Sequence, residues 1–146
     1  MEQQIEALLC GRQFKQFQES RVARIKEKYG LRRVDIEILY YLSQYKGHNT
    51  SRDIQHIMGL TKGHISQSVD RMQKMRLISF IPDKTDRRYV HFETTAEADA
   101  VVKEITKAWS EMTEAVFEGI TEEEKKVLLT VAGKIRNNLE RMTRER

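Results

Sequence analysis

Proline occurs once, at Pro82, cysteine once, at Cys10, and glycine seven times in 146 residues. With so few breakers, little interrupts long helices, and a mainly helical chain is expected. A single cysteine excludes an intrachain disulfide framework and fits a reducing compartment. No apolar run approaches the roughly 18 residues of a membrane span, and no charged-then-apolar leader opens the chain. The expectation is a cytoplasmic protein without membrane attachment. Repeats, low-complexity tracts and linkers are also missing, so one domain over 1–146 is the simplest division. There is no G-x-S-x-G, no phosphate-cradling glycine loop, and no cysteine with a matching His and Asp set. Neither an enzyme nor a cofactor is therefore expected.

What is present is charge and apolar periodicity. One residue in three is charged, and the formal net charge is +4. The excess lies in the first two thirds: residues 1–46 and 47–95 carry +3 each, and 96–146 carry −2. A modest basic bias suits phosphate contact without identifying it.

Residues 3–29 place Ile5, Leu8, Leu9, Phe14, Phe17, Val22, Ile25 and Tyr29 at roughly helical spacing, with Gly30 as a left-handed stop. Residues 32–46 are apolar almost all round and predict a buried helix ending at Gly47. Thr50 and Asp53 have the spacing of a capping box, opening a third helix that runs to Met58 and stops at Gly59. Thr61 caps a fourth, with Ile65, Val69 and Met72 inward. Two short helices joined by a tight glycine turn make a helix-turn-helix. Ile54, Met58, Leu60 and Ile65 fit its hydrophobic positions. Gln55 stands where a small residue is common, and Ser68 where a large apolar one is.

Residues 77–81 predict a strand limited by Pro82, and 88–94 a returning strand with Val90 and Phe92 on one face and Tyr89, His91 and Glu93 on the other. Between them lies a charged tip, Asp83-Lys84-Thr85-Asp86-Arg87-Arg88. A helix-turn-helix followed by such a hairpin is a winged helix-turn-helix, a device for reading duplex DNA. Residues 96–120 then carry an apolar stripe of period near 3.5. Thr121 and Glu124 form another capping box before a last helix with Leu128, Val131, Ile135, Leu139 and Met142 along it. These two long helices have the narrow stripes of elements that pair with a second copy of the chain. The fold class expected is mainly α (α+β): a winged helix-turn-helix lobe over 31–95, flanked by dimerisation helices at 1–30 and 96–146.

This order resembles the MarR family of transcription regulators over nearly the whole chain. The resemblance is carried by Tyr29-Gly30-Leu31, Gly47 to Leu60, Thr61-Lys62-Gly63, Val69-Asp70-Arg71-Met72, Leu77-Ile78 and, above all, the D-x-x-D-x-R wing followed after six residues by Thr95. It implies a homodimer whose two winged lobes straddle a pseudopalindromic operator, usually as a repressor, released by a small phenolic or other hydrophobic effector or by an oxidant. Departures are Arg76 where a glycine is usual, which asks a non-glycine residue to turn left-handed, Thr94 for a leucine, and Ala98 for a glycine.

The candidate DNA contacts follow from groove chemistry. On the fourth helix the N-terminal part, from Thr61, would enter the major groove. Lys62 and Ser66 approach phosphates or base edges, Gln67 pairs with adenine and His64 donates to guanine. Gly63 lets the backbone come close, and Arg71 lies on the same face. At the wing, Arg87 and Arg88 are candidates for the minor groove. The resemblance favours Arg88, with Asp86 orienting it by a charge-assisted bond. Arg52 and Lys74, and the pair Arg32 and Arg33, are further phosphate candidates. An ordinary solvated helix face and a merely stiffened hairpin are the plain alternatives, and a winged module that binds protein is the rival from another class. A small-molecule pocket near Phe17, Tyr40 or Tyr41 competes with a core role for those rings. Cys10 suggests a redox sensor, but the tyrosines such sensors use are Arg12 and Val22 here, and a buried or interface thiol is the simpler reading. Metal is not expected, because the first, second and fifth helices contain no histidine.

Overall fold

The computed structural model describes residues 11–144, and Cys10 lies outside them. Among these, α1 spans Arg12–Tyr29, α2 Arg33–Gln44, α3 Ser51–Met58 and α4 Lys62–Lys74. Strands β1 (Ile78–Pro82) and β2 (Val90–Thr94) follow. A 3₁₀ turn at Ala96–Ala98 then leads into α5 (Asp99–Val116), and α6 is Glu122–Arg144. The chain forms two compact units, one ending at Met112 and the other beginning at Thr113.

The helix boundaries are set by local chemistry. Thr50 Oγ1 accepts from Asp53 N–H while the Asp53 carboxylate accepts from Thr50 N–H at 3.0 Å, which satisfies the first turn of α3. Thr61 Oγ1 accepts from His64 N–H at 3.3 Å to open α4. Gly30 and Gly59 stop α1 and α3 with φ of 65°, a conformation that costs a residue with a Cβ. The C-terminal end of α4 departs from this rule. There Arg76 takes φ 60°, the left-handed turn its position required, and its carbonyl accepts from Thr95 Oγ1 at 2.6 Å.

The core of the first unit gathers round α2. Ile36, Ile38 and Leu39 are fully buried, as are Ile54 of α3, Ile65 and Met72 of α4, and Ile105 of α5. Val22 and Ile25 close it from α1, and Ile78 and Phe92 from the hairpin. At about 25 cal/mol per Å² of apolar surface removed from water, this cluster is the main stabilising term. The antiparallel pair runs in the register Ile78↔Thr94 to Pro82↔Val90, with Phe80 opposite Phe92 and their rings edge-on at 5.1 Å. β1 thus ends on Pro82 rather than before it, which the lack of an N–H permits at a strand terminus. β2 starts two residues later than the alternation suggested. The Arg88 and Tyr89 amides bond to Asp86 and so belong to the turn.

The second unit is formed by the end of α5 and by α6. The apolar stripe of residues 96–120 is helical only through Val116, and Gly119 turns the chain with φ 76°. Thr121 and Glu124 exchange both capping bonds, at 2.8 and 3.2 Å. No residue of α6 is buried.

Candidate nucleic-acid interface

One face of the first unit carries most of the candidate contacts. Thr61 at the cap of α4 and Lys62, Gly63, His64, Ser66 and Gln67 on it are all exposed, opposite the buried Ile65, Val69 and Met72. The pattern follows from helix periodicity: burying every third or fourth residue leaves the rest of the first two turns in solvent. Between α3, α4 and the hairpin lies an open cleft of about 410 Å³. Arg52, Lys62, Ser66, Asp70, Arg88 and Tyr89 are among its lining residues. The helix face and the wing arginine therefore border the same space, although 26 positions separate Lys62 from Arg88.

The wing tip is wound round two carboxylates. Asp83 Oδ1 accepts from Thr85 N–H and its hydroxyl, both at 2.8 Å, and from Asp86 N–H at 2.9 Å. Its other oxygen lies 2.7 Å from His91 Nε2. These donors hold the Asp83 carboxyl far below the ordinary carboxylate range, the His91 hydrogen bond being the largest cause. Asp86 accepts from Arg88 three ways: from its backbone N–H, from Nε, and from Nη2 at 2.8 Å. The bidentate fork lowers the Asp86 carboxyl, raises the Arg88 guanidinium, and presents a side chain that is still 87% exposed. Asp86 thus orients Arg88 without hiding it. Arg87 beside it is exposed.

Two of the basic candidates have other partners. Arg71 is drawn inward, where its Nη2 pairs with the buried carboxylate of Asp35. Asp35 is the third residue of α2. It accepts from Arg32 N–H at 2.7 Å and from the hydroxyl of Ser68. Ser68 therefore occupies a large apolar residue's usual place because it satisfies a buried charge, which would otherwise be costly. Arg33 is likewise engaged. Its Nε donates to Glu37 at 2.8 Å, one terminal nitrogen to Glu19, and the other to Gln18 at 3.0 Å. Those carboxylates raise its guanidinium pKa. Arg32, Arg52 and Lys74 remain exposed.

The aromatic candidates are each committed elsewhere. Tyr41 is buried, stacks on Tyr45 at 5.1 Å, and donates its hydroxyl to the His48 carbonyl at 2.6 Å. Tyr40 lies against Trp109 with centroids 5.5 Å apart. Phe17 is covered by the Arg21 guanidinium at 5.2 Å. Sequence reasoning missed the cluster in which the half-buried Arg71 meets the buried Asp35 and Ser68. An acidic residue in an apolar helix, together with a serine in an apolar position, was the available signal.

Comparison with known proteins agrees with this geometry. Residues 31–98 match the family model described as a winged helix DNA-binding domain. An uncharacterized HTH-type transcriptional regulator, YsmB of Bacillus subtilis (strain 168), is 30% identical over 91 residues, which is 62% of this chain. The match spans 60% of that relative's length. A MarR/EmrR family transcriptional regulator from Acinetobacter sp. ADP1 superposes with a TM-score of 0.77 at 21% identity, covering 96% of this chain and 97% of that one. MepR of S. aureus, in a crystal structure of its DNA complex, gives a TM-score of 0.72 at 19% identity, with 89% and 93% covered.

Proposed function

We propose that this chain, whose residues 31–98 match a winged helix DNA-binding domain and whose fold superposes on that of a MarR/EmrR regulator, is a sequence-specific transcription regulator of the MarR type acting as a homodimeric repressor on a pseudopalindromic operator. The observation that carries the reading is the shared cleft. The exposed face of α4 and the Asp86-held Arg88 border one space, as groove insertion beside a phosphate strand requires. Lys62, His64, Ser66 and Gln67 contact the major groove, with Gly63 and Thr61 allowing close approach. Arg88 enters the minor groove, and Arg87, Arg52, Arg32 and Lys74 neutralise phosphates. Arg71 and Arg33 serve the protein's own carboxylates first.

Dimerisation supplies the second head. Leu128, Val131, Ile135, Leu139 and Met142 all lie exposed along α6, a stripe that a second copy would cover. Two heads on one duplex face must present α4 about 34 Å apart. A hydrophobic effector or another signal that alters this spacing would prevent simultaneous insertion and release the DNA.

The test is a gel-shift series at rising salt on DNA from upstream of the protein's own gene. Phosphate contact by several cations predicts a steep, log-linear loss of affinity between about 50 and 200 mM salt. A flat profile would sink the DNA reading and favour a protein-binding winged module. Sedimentation at micromolar concentration checks the dimer, and a monomer that still binds one operator would remove the two-head scheme.

A further inference from the structure

His91 is the second residue of β2, and both of its ring nitrogens point to groups outside the two-stranded ladder. Nδ1 is 2.6 Å from Oδ1 of Asn49, and Nε2 is 2.7 Å from Oδ2 of Asp83. Asn49 is buried and immediately precedes Thr50, the cap of α3. The backbones meet there too: Phe92 N–H donates to the Asn49 carbonyl at 2.8 Å, and Thr50 bridges His91. The imidazole thus stands between the helix-turn-helix and the residue round which the wing tip is wound. A neutral imidazole has one N–H and can donate to one oxygen, whereas the imidazolium donates to two. The charged groups facing this ring are Asp83 from the wing turn and Asp53 from the first turn of α3. His48, in the loop before α3, acts on Asp53.

We propose that Asn49, His91 and Asp83 form a proton-operated latch, which sets how firmly the wing is tied to the helix-turn-helix and how well Arg88 is aimed. The role in aiming rests on the reading of the wing as a DNA contact. The linkage is continuous. His91 holds Asp83, Asp83 holds the amides of Thr85 and Asp86, and Asp86 holds Arg88. With both ring protons present, both bonds close. The proton that leaves is the one on Nε2: its lone pair then faces the Asp83 carboxylate and that bond opens, while Nδ1–H stays on Asn49 Oδ1. The carboxylate end stays ionised throughout mild acid, because its donors hold the Asp83 carboxyl far down. The direction follows from the donor count: the latch is closed while the ring carries both protons and opens when rising pH removes one. His91 is a positioning residue and touches no DNA itself.

The experiment is NMR of the full chain with ¹⁵N-labelled histidine from pH 5.5 to 8, with His91→Gln and Asn49→Asp alongside. Both His91 ring nitrogens should carry protons at pH 6. Protection factors of the Thr85 and Asp86 amides should fall about fivefold by pH 8, the worth of one net hydrogen bond. In His91→Gln the protection should be low and independent of pH. Asn49→Asp offers a carboxylate that can only accept, so the fall should move to higher pH. This arm decides the matter even if His91→Gln fails to fold. A single ring N–H on His91 at pH 6, or the same protection profile in every variant, overturns the latch.

The same samples, titrated with a fluorescent duplex of the upstream DNA at matched salt, test the aim. Wild type should lose about fivefold more affinity from pH 6 to 8 than His91→Gln, a difference that cancels pH effects common to both proteins. Equal slopes would overturn the role in aiming. A chain that binds the duplex at no pH would instead defeat the DNA reading, while the NMR result alone would uphold or overturn the latch.

Discussion

Helix α4 and the hairpin tip face the same cleft but are held in place by different forces. α4 is anchored by burial: Ile65, Val69 and Met72 are at most 3% exposed, and the pair of Asp35 and Ser68 fixes its middle. At the wing tip no residue from Ile81 to His91 is buried, and its shape comes from hydrogen bonds to two carboxylates. A helix fixed by packing can be disturbed only by disturbing the whole lobe. A loop fixed by charge can be altered alone, by substitution or by protons.

The largest effect should come from the packed side. Met72→Ala deletes a fully buried side chain and should cost about 2–5 kcal/mol of unfolding free energy by chemical denaturation. A loss below about 1 kcal/mol would mean the core beneath α4 is loosely packed. Asp35→Ala comes next, at about 3 kcal/mol, because it leaves the Ser68 hydroxyl, the Arg32 N–H and the Arg71 guanidinium without their common acceptor. Arg88→Ala should invert the pattern. Its side chain is 87% exposed, so stability should change by less than about 0.5 kcal/mol, while DNA affinity drops by about 1–3 kcal/mol in a binding titration. Unchanged affinity would remove the wing from the interface.

Acid sharpens the same contrast. The Asp83 carboxyl has a depressed folded pKa, so its contribution is present above the ordinary aspartate value and vanishes only as pH falls through the folded one. Amide protection at Thr85 and Asp86 should therefore survive from pH 7 down to about 4.5. Its loss there would show Asp83 titrating as a free carboxyl. The smallest effect is expected at Arg76→Gly, where relief of a left-handed backbone should add up to about 1 kcal/mol, part of it offset by a more flexible unfolded chain. A clear destabilisation would show that the arginine side chain contributes more than its backbone costs.

The legible features were those set by neighbours in the chain. Thr50 with Asp53, Thr61, Gly30 and Gly59, and Thr121 with Glu124 each satisfy or turn backbone within a few residues, so their spacing alone predicts the element boundaries. The left-handed turn at Arg76 was legible only through the resemblance, which has a glycine at that place. The pairing of Asp86 with Arg88, two residues apart, was legible too. The blurred places were those where a distant group decides. Ser68 looked like a fault in the helix-turn-helix until Asp35, 33 residues away, supplied its partner. Arg33 and Arg71 looked like free cations because composition does not reveal which carboxylates the fold brings near.

By itself, then, the sequence determined which segments become helices and strands, where they stop, and which faces are apolar. Those follow from hydrogen bonds and periodicities spanning a few residues. Only the tertiary structure decided which charges are spent inside and which remain for a partner. It turned Arg71 onto Asp35, left Arg88 in solvent, and placed His91 between Asn49 and Asp83, 42 and 8 residues away. A side chain's electrostatic partner is set by distance through space, and that distance exists only once the core has closed.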